Sequence, residues 1–271
     1  MGERRSYAHT HSRPSVSAHA RRSARSFTPY VIPYIESHHA ILDVGCGPGS
    51  ISADLAAQAP SGSIVCLDAS EAVLESARAT FAQRGLTNVE FVAGNVGSLP
   101  FEDGVFDVVH AHQVIIHLPE PEAAMSEMRR VLKSGGILAC KDMILSSMAY
   151  HPSLPGMDVW HRALVASMTS VGADPDMGTR LKGLALAAGF PRQGVRCSVG
   201  PWCFSEPEDV QWWGFSVSER LGEDGSLRSK VLETGAMSVS EVAEGVKAWR
   251  EWAGREEAWF GVMNGEVICI K

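Results

Sequence analysis

One stretch of eleven residues, AILDVGCGPGS from Ala40 to Ser50, constrains the fold of this chain more than any other. Its apolar residues run into an acidic side chain, and glycine then occupies alternate positions at Gly45, Gly47 and Gly49. Glycine adopts positive φ values readily and lets the backbone approach a ligand closely. A helix that follows such a loop points its N-terminal N–H groups at the same ligand. We therefore expect a strand, a ligand-binding loop and a helix, in that order.

Apolar segments of strand length alternate with helical segments over the first half of the chain. The pattern predicts strands over 40–45, 63–68, 89–94, 106–114 and 137–144, and helices over 50–59, 70–85 and 120–136. Strands this apolar, separated by helices, are typical of a parallel sheet that is covered on both faces. Ligands bind such sheets at the carboxyl ends of the strands, where the glycine loop lies. We predict an α/β fold with a Rossmann-like, mostly parallel seven-stranded sheet.

The chain after residue 148 departs from this alternation. The pattern predicts helices over 157–172 and 179–190, a strand over 194–205, and an antiparallel C-terminal hairpin that turns at Asn264–Gly265, a strong hairpin signal. Large apolar side chains are frequent between 148 and 240, and we interpret this segment as a helical lid over a small apolar molecule. Its predicted substrate-binding residues are Trp160, Met168, Trp202 and Trp213.

The composition argues against several classes of partner. The 271 residues carry a net charge of −7, whereas a nucleic-acid-binding face has to be basic. The six cysteines form no CxxC pair, so we predict no metal site and expect free thiols in a reducing compartment. No apolar run approaches the roughly 18 residues of a membrane span. We expect a cytoplasmic protein that binds neither nucleic acid nor membrane. Its oligomeric state stays open, and a monomer is consistent with the sequence.

The segment LDVGCGPG, residues 42–49, resembles the first motif of the class I S-adenosylmethionine-dependent methyltransferases. The resemblance covers at least 40–145 and includes VCLDASEAVLESAR, VAGNVGSLPF, FDVVHAHQVIIHL and RVLKSGG, the last typical of small-molecule enzymes of the ubiquinone-biosynthesis type. The alternative is the GxGxxG fingerprint of NAD(P)-dependent oxidoreductases, but Ser50 stands where that fingerprint needs its last glycine. The resemblance implies S-adenosylmethionine as the cofactor.

The same resemblance implies which residues hold the cofactor. In that family the glycine loop wraps the amino-acid end, and an acidic residue after strand 2, here Asp68, binds both ribose hydroxyls. An acidic residue after strand 3 usually accepts from adenine, whereas this chain has Asn95, which keeps a carbonyl acceptor. The full set of implied residues is Arg22, Asp43, Gly45, Cys46, Gly47, Gly49, Asp68, Ala69, Ser70, Asn95, Val96, His112 and Gln113.

Two residues at the carboxyl ends of strands 4 and 5, His117 and Asp142, are the candidate catalytic residues. Methyl transfer from a sulfonium is an in-line displacement that needs an aligned acceptor, and a base where the pKa of the acceptor is high. A thiol acceptor needs little base because its ordinary pKa is about 8.5.

Across the chain, HARRSARSFTPYVIPYI, DVGCGPGSIS, HQVIIHL and EMRRVLKSGGILACKD resemble the fungal thiol methyltransferases that act on gliotoxin-type epidithiodiketopiperazines. This resemblance implies S-methylation of a reduced dithiol in secondary metabolism. An oxygen, nitrogen or carbon acceptor, or a catalytically silent binding module, is the alternative. We predict four segments, an N-terminal tail and cofactor-covering helix at 1–39, the cofactor-binding core at 40–147, the lid at 148–240, and a C-terminal helix and closing strand at 241–271.

Overall fold

The computed structural model of the chain describes residues 21–223 and 225–271. The start of the segment predicted at 1–39, an N-terminal tail followed by a cofactor-covering helix, lies outside the described residues. The described helix α1 is short, Ala24–Phe27, and a 3₁₀ turn follows at Ile32–Tyr34. The prolines at 29 and 33 explain this interruption, because proline disfavours continued α-helix around it.

Seven strands form one mostly parallel sheet. They are β1 (Ala40–Val44), β2 (Ser63–Asp68), β3 (Val89–Ala93), β4 (Phe106–His112), β5 (Leu132–His151), β6 (Val195–Phe204) and β7 (Trp259–Ile270). Their order is β3-β2-β1-β4-β5-β7-β6, and β7 runs antiparallel to both of its neighbours. The chain reverses its direction of winding between β1 and β4, which is where ligands bind such sheets. The predicted Rossmann-like fold, with its antiparallel C-terminal pair, is confirmed.

Helices flank this sheet. They are α2 (Ser50–Gln58), α3 (Glu71–Gln83), α4 (Pro121–Val131), α5 (Asp158–Thr169), α6 (Leu181–Ala187), α7 (Pro207–Leu221), α8 (Ser226–Glu233) and α9 (Val239–Trp252). Ile41 and Leu42 are consecutive on β1 and point to opposite faces, yet both are completely buried. Both faces of the central strand are therefore covered. No helix in the described part of the chain has the length and apolarity needed to cross a bilayer.

The turn predicted at Asn264–Gly265 is wrong, because β7 continues through both residues. Asn264 is completely buried, and its side-chain amide donates to the carbonyl oxygen of Gly200 at 3.0 Å. A Cβ at Gly265 would lie 2.0 Å from the carbonyl oxygen of Gly178. The Asn-Gly pair is therefore used for tertiary packing and not for a turn. The antiparallel partner of β7 at the sheet edge is β6, which lies more than fifty residues earlier in the chain.

The four predicted segments remain a prediction, and two of their boundaries fall inside regular elements. Residue 147 lies within β5, which extends to His151, and residue 240 lies within the first turn of α9. Strand β5 is longer than the predicted 137–144 because β7 pairs with it on both sides of a bulge between Ile144 and Ala149. The core sheet and the predicted lid thus share continuous strands and helices.

Candidate functional site

The glycine loop between β1 and α2 has the backbone that its sequence predicts. Gly45, Gly47 and Gly49 have φ values of 65°, 57° and 78°. The amides of Gly45 and Cys46 donate to the carbonyl oxygen of Leu67, at 2.7 and 3.0 Å, so the loop is bound to the end of β2. A Cβ at Gly45 would lie 2.6 Å from a methyl group of Val114, so glycine is required there for space as well as for conformation.

Asp43 lies at the end of β1 beneath this loop and is held from two sides. The hydroxyl of Ser52 on α2 donates to Oδ2, and Nδ1 of His110 lies 2.7 Å from Oδ1. Asp43 and His110 are 3% and 0% exposed. This buried triad joins β1, β4 and the first turn of α2, and it therefore holds in place the elements on which the glycine loop rests.

Asp68 ends β2 beside the loop. Its carboxylate accepts from the amide of Gly47 at 3.1 Å and from that of Ser70 at 3.0 Å. One carboxylate therefore orders both the glycine loop and the start of α3, and it also lines the cleft. Ala69 and Ser70 follow it but do not contribute to the cleft lining.

A single cleft collects many of the predicted residues from both halves of the chain. The space between its walls, with the open solvent at its mouth included, is about 1230 Å³. Lining residues that the sequence had predicted are Arg22, Asp43, Gly45, Cys46, Gly47, Asp68, His112, Gln113, His117, Trp160, Met168, Trp202 and Trp213. The structure thus brings the glycine loop and the predicted substrate-binding residues to one place.

Asn95 and Val96, predicted at the adenine, stand outside the lining of this cleft. Val96 is buried in the core, and Asn95 is exposed. The side-chain oxygen of Asn95 accepts from the amide of Gly97 at 2.8 Å. This bond closes the turn after β3, so the acceptor that we expected to face adenine is used within its own loop.

His112 and Gln113 end β4 at the same edge. His112 stacks on His110 with ring centroids 6.3 Å apart, and neither of its ring nitrogens has a hydrogen-bond partner within the described residues. Burial, with the nearby charge of Arg22, lowers the pKa of His112 well below its ordinary value. Gln113 has a φ of 57° and donates through its side chain to Asn264 at 2.8 Å. A left-handed glutamine is sterically unfavourable, and this bond to β7 helps to hold it.

The two candidate catalytic residues occupy different depths. His117 lies on the 3₁₀ turn Ile115–His117 and lines the cleft. Asp142 is completely buried behind that turn, and its Oδ1 accepts from the amide of Ile116 at 3.3 Å. Burial raises the pKa of Asp142 well above its ordinary value. Asp142 thus holds the turn that carries His117 instead of facing the cleft. Its position in the sequence, near the end of a predicted strand, could not show this difference.

The predicted substrate-binding residues form an aromatic wall. Trp160 on α5 meets Trp213 on α7 edge-on at 6.4 Å, and Trp202 on β6 packs against Phe27 of α1 at 5.3 Å. The indole N–H groups of the three tryptophans are buried without an acceptor in the described part of the chain. Met168 completes this predicted set, so the wall is apolar but contains unsatisfied donors.

Two arginines line the same cleft. Arg22 lies over Trp202, with Cζ 4.8 Å from the ring centroid, and burial lowers its pKa to about 9. Arg220, on α7, was not predicted. The signal that could have identified it is its spacing, because it lies seven residues after Trp213 on the buried stripe of a helix.

Comparison with known proteins agrees with this geometry. The model of a methyltransferase domain family matches residues 35–173. An uncharacterized methyltransferase of Schizosaccharomyces pombe is 29% identical over 94% of this chain and 93% of its own length. Probable methyltransferase ltbC of Aspergillus luteorubrus is 30% identical over 100% of this chain and 99% of its own. The YcgJ protein of Bacillus subtilis shares the fold, at 18% identity and a TM-score of 0.57 over 90% of this chain and 97% of its own.

The chain therefore belongs to the methyltransferase domain family. It is an S-adenosylmethionine-dependent methyltransferase with the Rossmann-like class I fold.

Proposed function

We propose that the chain methylates a small apolar metabolite held between the glycine loop and the aromatic wall. The observation that carries this proposal is that Gly45, Gly47 and Asp68 line the same cleft as Trp160 and Trp213. The proposed cofactor side and the proposed acceptor side would thus meet in one cleft, as in-line transfer requires.

The residues of the cofactor side fit S-adenosylmethionine. We propose that Asp68 accepts from the ribose hydroxyls, because the two oxygens of a carboxylate suit a vicinal diol. The loop at Gly45 and Gly47 has no side chains that would keep a ligand from its backbone. Arg22 would face the methionine carboxylate, since its guanidinium is buried in the cleft without an acidic partner among the described residues. Asn95 and Val96 remain candidates for the adenine contact, which would require the Asn95 side chain to turn.

The choice of acceptor atom depends on which side chain of the cleft can take the acceptor's proton. When bound, the cofactor supplies a methyl group whose carbon–sulfur bond breaks, with the electron pair left on sulfur, as the acceptor's lone pair forms the new bond. Within the lining, His110 is engaged by Asp43, and the lowered pKa makes His112 a weak base. His117 is the histidine that we propose receives the acceptor proton, with Asp142 positioning its turn.

A thiol places the smallest demand on such a base, because it ionises close to neutral pH. We therefore propose S-methylation of a reduced dithiol of the gliotoxin type, as the sequence resemblance implies. Its location would be cytoplasmic, which suits the six free cysteines. Oxygen, nitrogen and carbon acceptors are the alternatives within the same class, and a silent binding module is the alternative outside it.

The test is mass spectrometry of acceptors after incubation with the protein and S-adenosylmethionine. The panel comprises a reduced dithiol diketopiperazine, a phenol and an amine, each with and without protein. We expect methyl groups on the dithiol and only a small loss of product with His117→Gln, because a thiol ionises with little help from a base. Methylation of the phenol or amine alone would replace the thiol assignment. Binding of S-adenosylhomocysteine without any product would favour the silent module.

A further inference from the structure

Arg220 is a buried cation that the proposed reaction does not use. Its side chain lines the cleft from α7 and is 8% exposed. Its Cζ lies 5.4 Å from the ring centroid of Trp160 and 5.9 Å from that of Trp213. Its Nε and Nη2 are buried and have no hydrogen-bond partner in the part of the chain that the structure describes. This is the side of the cleft with the predicted substrate-binding residues.

The geometry of the two unpaired nitrogens indicates which chemical group could accept hydrogen bonds from both. Nε and Nη2 form one edge of the planar guanidinium, and their N–H bonds are parallel, which matches the two oxygens of a carboxylate. A buried cation without an anion is strongly unfavourable. Accordingly, burial lowers the pKa of Arg220 to about 10, and the charge of the neighbouring Glu219 only partly offsets this. No ion pair between them is formed among the described residues.

The single carboxylate of the cofactor could give only one of the two arginines of the cleft a bidentate partner. S-adenosylmethionine carries one carboxylate, whereas the cleft holds two arginines, the half-buried Arg22 and the buried Arg220, which are near enough for the charge of Arg220 to lower the pKa of Arg22. Arg22 belongs to the segment around α1, and it packs on Phe27, which also contacts His112 at the end of β4. Arg220 instead packs on the two tryptophans of the acceptor side.

We propose that the methyl acceptor carries a carboxylate, which binds to the Nε–Nη2 edge of Arg220. This inference rests on the proposed function, because it assigns the second anion to the acceptor. The aromatic faces of Trp160 and Trp213 would pack against the acceptor's apolar part, and their unpaired indole N–H groups are further donors at this end of the cleft. A dithiol acceptor would then bear an acid group as well as its sulfur atoms.

The experiment measures the binding of matched acids and amides to the complex with S-adenosylhomocysteine. The pairs are phenylacetate with phenylacetamide and 1-naphthylacetate with 1-naphthylacetamide, titrated by calorimetry at pH 7.5. Phenyl phosphate and sulfate test whether another oxyanion serves equally well. The variants are Arg220→Met, which keeps the apolar stem, Arg220→Lys, which keeps the charge without the planar edge, and Arg255→Met as a surface control, since Arg255 pairs with Glu251 in solvent.

We expect at least one acid to bind the wild type about tenfold or more tightly than its amide, in line with a charge-assisted bidentate contact. Arg220→Met should abolish this preference, Arg220→Lys should keep part of it, and Arg255→Met should leave it unchanged. The affinity for S-adenosylhomocysteine should stay within about threefold in all three variants.

The proposal is overturned if no acid is preferred by the wild type, or if the preference survives Arg220→Met. It is also overturned if Arg220→Met instead weakens the binding of S-adenosylhomocysteine, because Arg220 would then belong to the cofactor site. The wild-type comparison of acid and amide needs no variant, so misfolding of Arg220→Met does not block the test. Failure of the wild type to bind S-adenosylhomocysteine would be a different result, because it would refute the proposed function itself.

Discussion

Replacement of Asp68 separates the two tasks that we assign to one carboxylate. In the folded chain it orders the backbone by accepting from the amides of Gly47 and Ser70. In the complex we expect it also to accept from the ribose hydroxyls of the cofactor. Asp68→Asn keeps the shape and one acceptor oxygen, whereas Asp68→Ala removes every acceptor.

The magnitude follows from the number and charge of the contacts. A hydrogen bond to a charged group contributes about 1.5–3 kcal/mol. The loss of two such bonds in Asp68→Ala should make the binding free energy of S-adenosylhomocysteine less favourable by about 3–6 kcal/mol, which lowers its affinity by roughly two to four orders of magnitude. Asp68→Asn, which loses the charge and one acceptor oxygen, should weaken it by roughly one to two orders of magnitude.

Isothermal calorimetry gives the affinity, and urea unfolding shows whether each variant is folded. The matched control is Asp107→Asn. Asp107 also accepts from a backbone amide, that of Ala40 at 2.8 Å, but it lies near the start of β4, at the opposite end of the strands. This control should leave the affinity within about twofold. The ribose assignment is refuted if Asp68→Ala is folded and binds within threefold of the wild type.

Three further predictions concern residues in the walls of the cleft or directly behind them. Gly45→Ala should lower the free energy of unfolding by about 2–5 kcal/mol in urea titrations, from left-handed strain and a close contact. Gly47→Ala should cost only about 1–2 kcal/mol, because a Cβ there meets nothing within 4 Å. His112 has a lowered pKa, so its contribution to stability is present above pH ~6.5 and is lost as pH falls, by up to about 1.4 kcal/mol per pH unit. His112→Phe should abolish this pH-dependent loss. The measurement is the free energy of unfolding of the wild type and of the variant at pH 8, 6 and 5. Asp142 has a raised pKa, so the unfolded chain loses this proton near pH 4 while the folded chain keeps it, and the residue costs stability as pH rises above ~4. Asp142→Asn should therefore gain more stability at pH 8 than at pH 4.5, and an equal effect at both would show that the fold does not raise the pKa of Asp142.

Local sequence sufficed to bring the glycine loop and Asp68, which form the proposed cofactor side, to one cleft. The loop from Gly45 to Gly49 and Asp68 each follow a strand of the same sheet, and parallel strands bring their carboxyl ends to one edge. The side chains and the backbone conformation are therefore specified by short motifs. His117 could be placed in the cleft for the same reason, since it follows β4 by a few residues.

The acceptor side depends on contacts between segments that are distant in sequence. Arg220 meets Trp160, sixty residues earlier, only because α5 and α7 lie on the same side of the cleft. A similar long-range effect overrides the turn signal of Asn264–Gly265, where close packing against Gly178 keeps the strand straight. Periodicity shows that such residues are buried, but it does not show what they face.

The charges of the cleft bear on how the acceptor is activated. Arg22 and Arg220 place two positive charges along the cleft, and nearby positive charge lowers the pKa of an acidic acceptor. A thiol or an acid-bearing acceptor would therefore ionise within the cleft with little help from a base. This agrees with the burial of Asp142 behind its turn and with the weak basicity of His112. The arrangement favours an acceptor that reacts as an anion, so alignment by the aromatic wall, more than proton transfer, would set the rate.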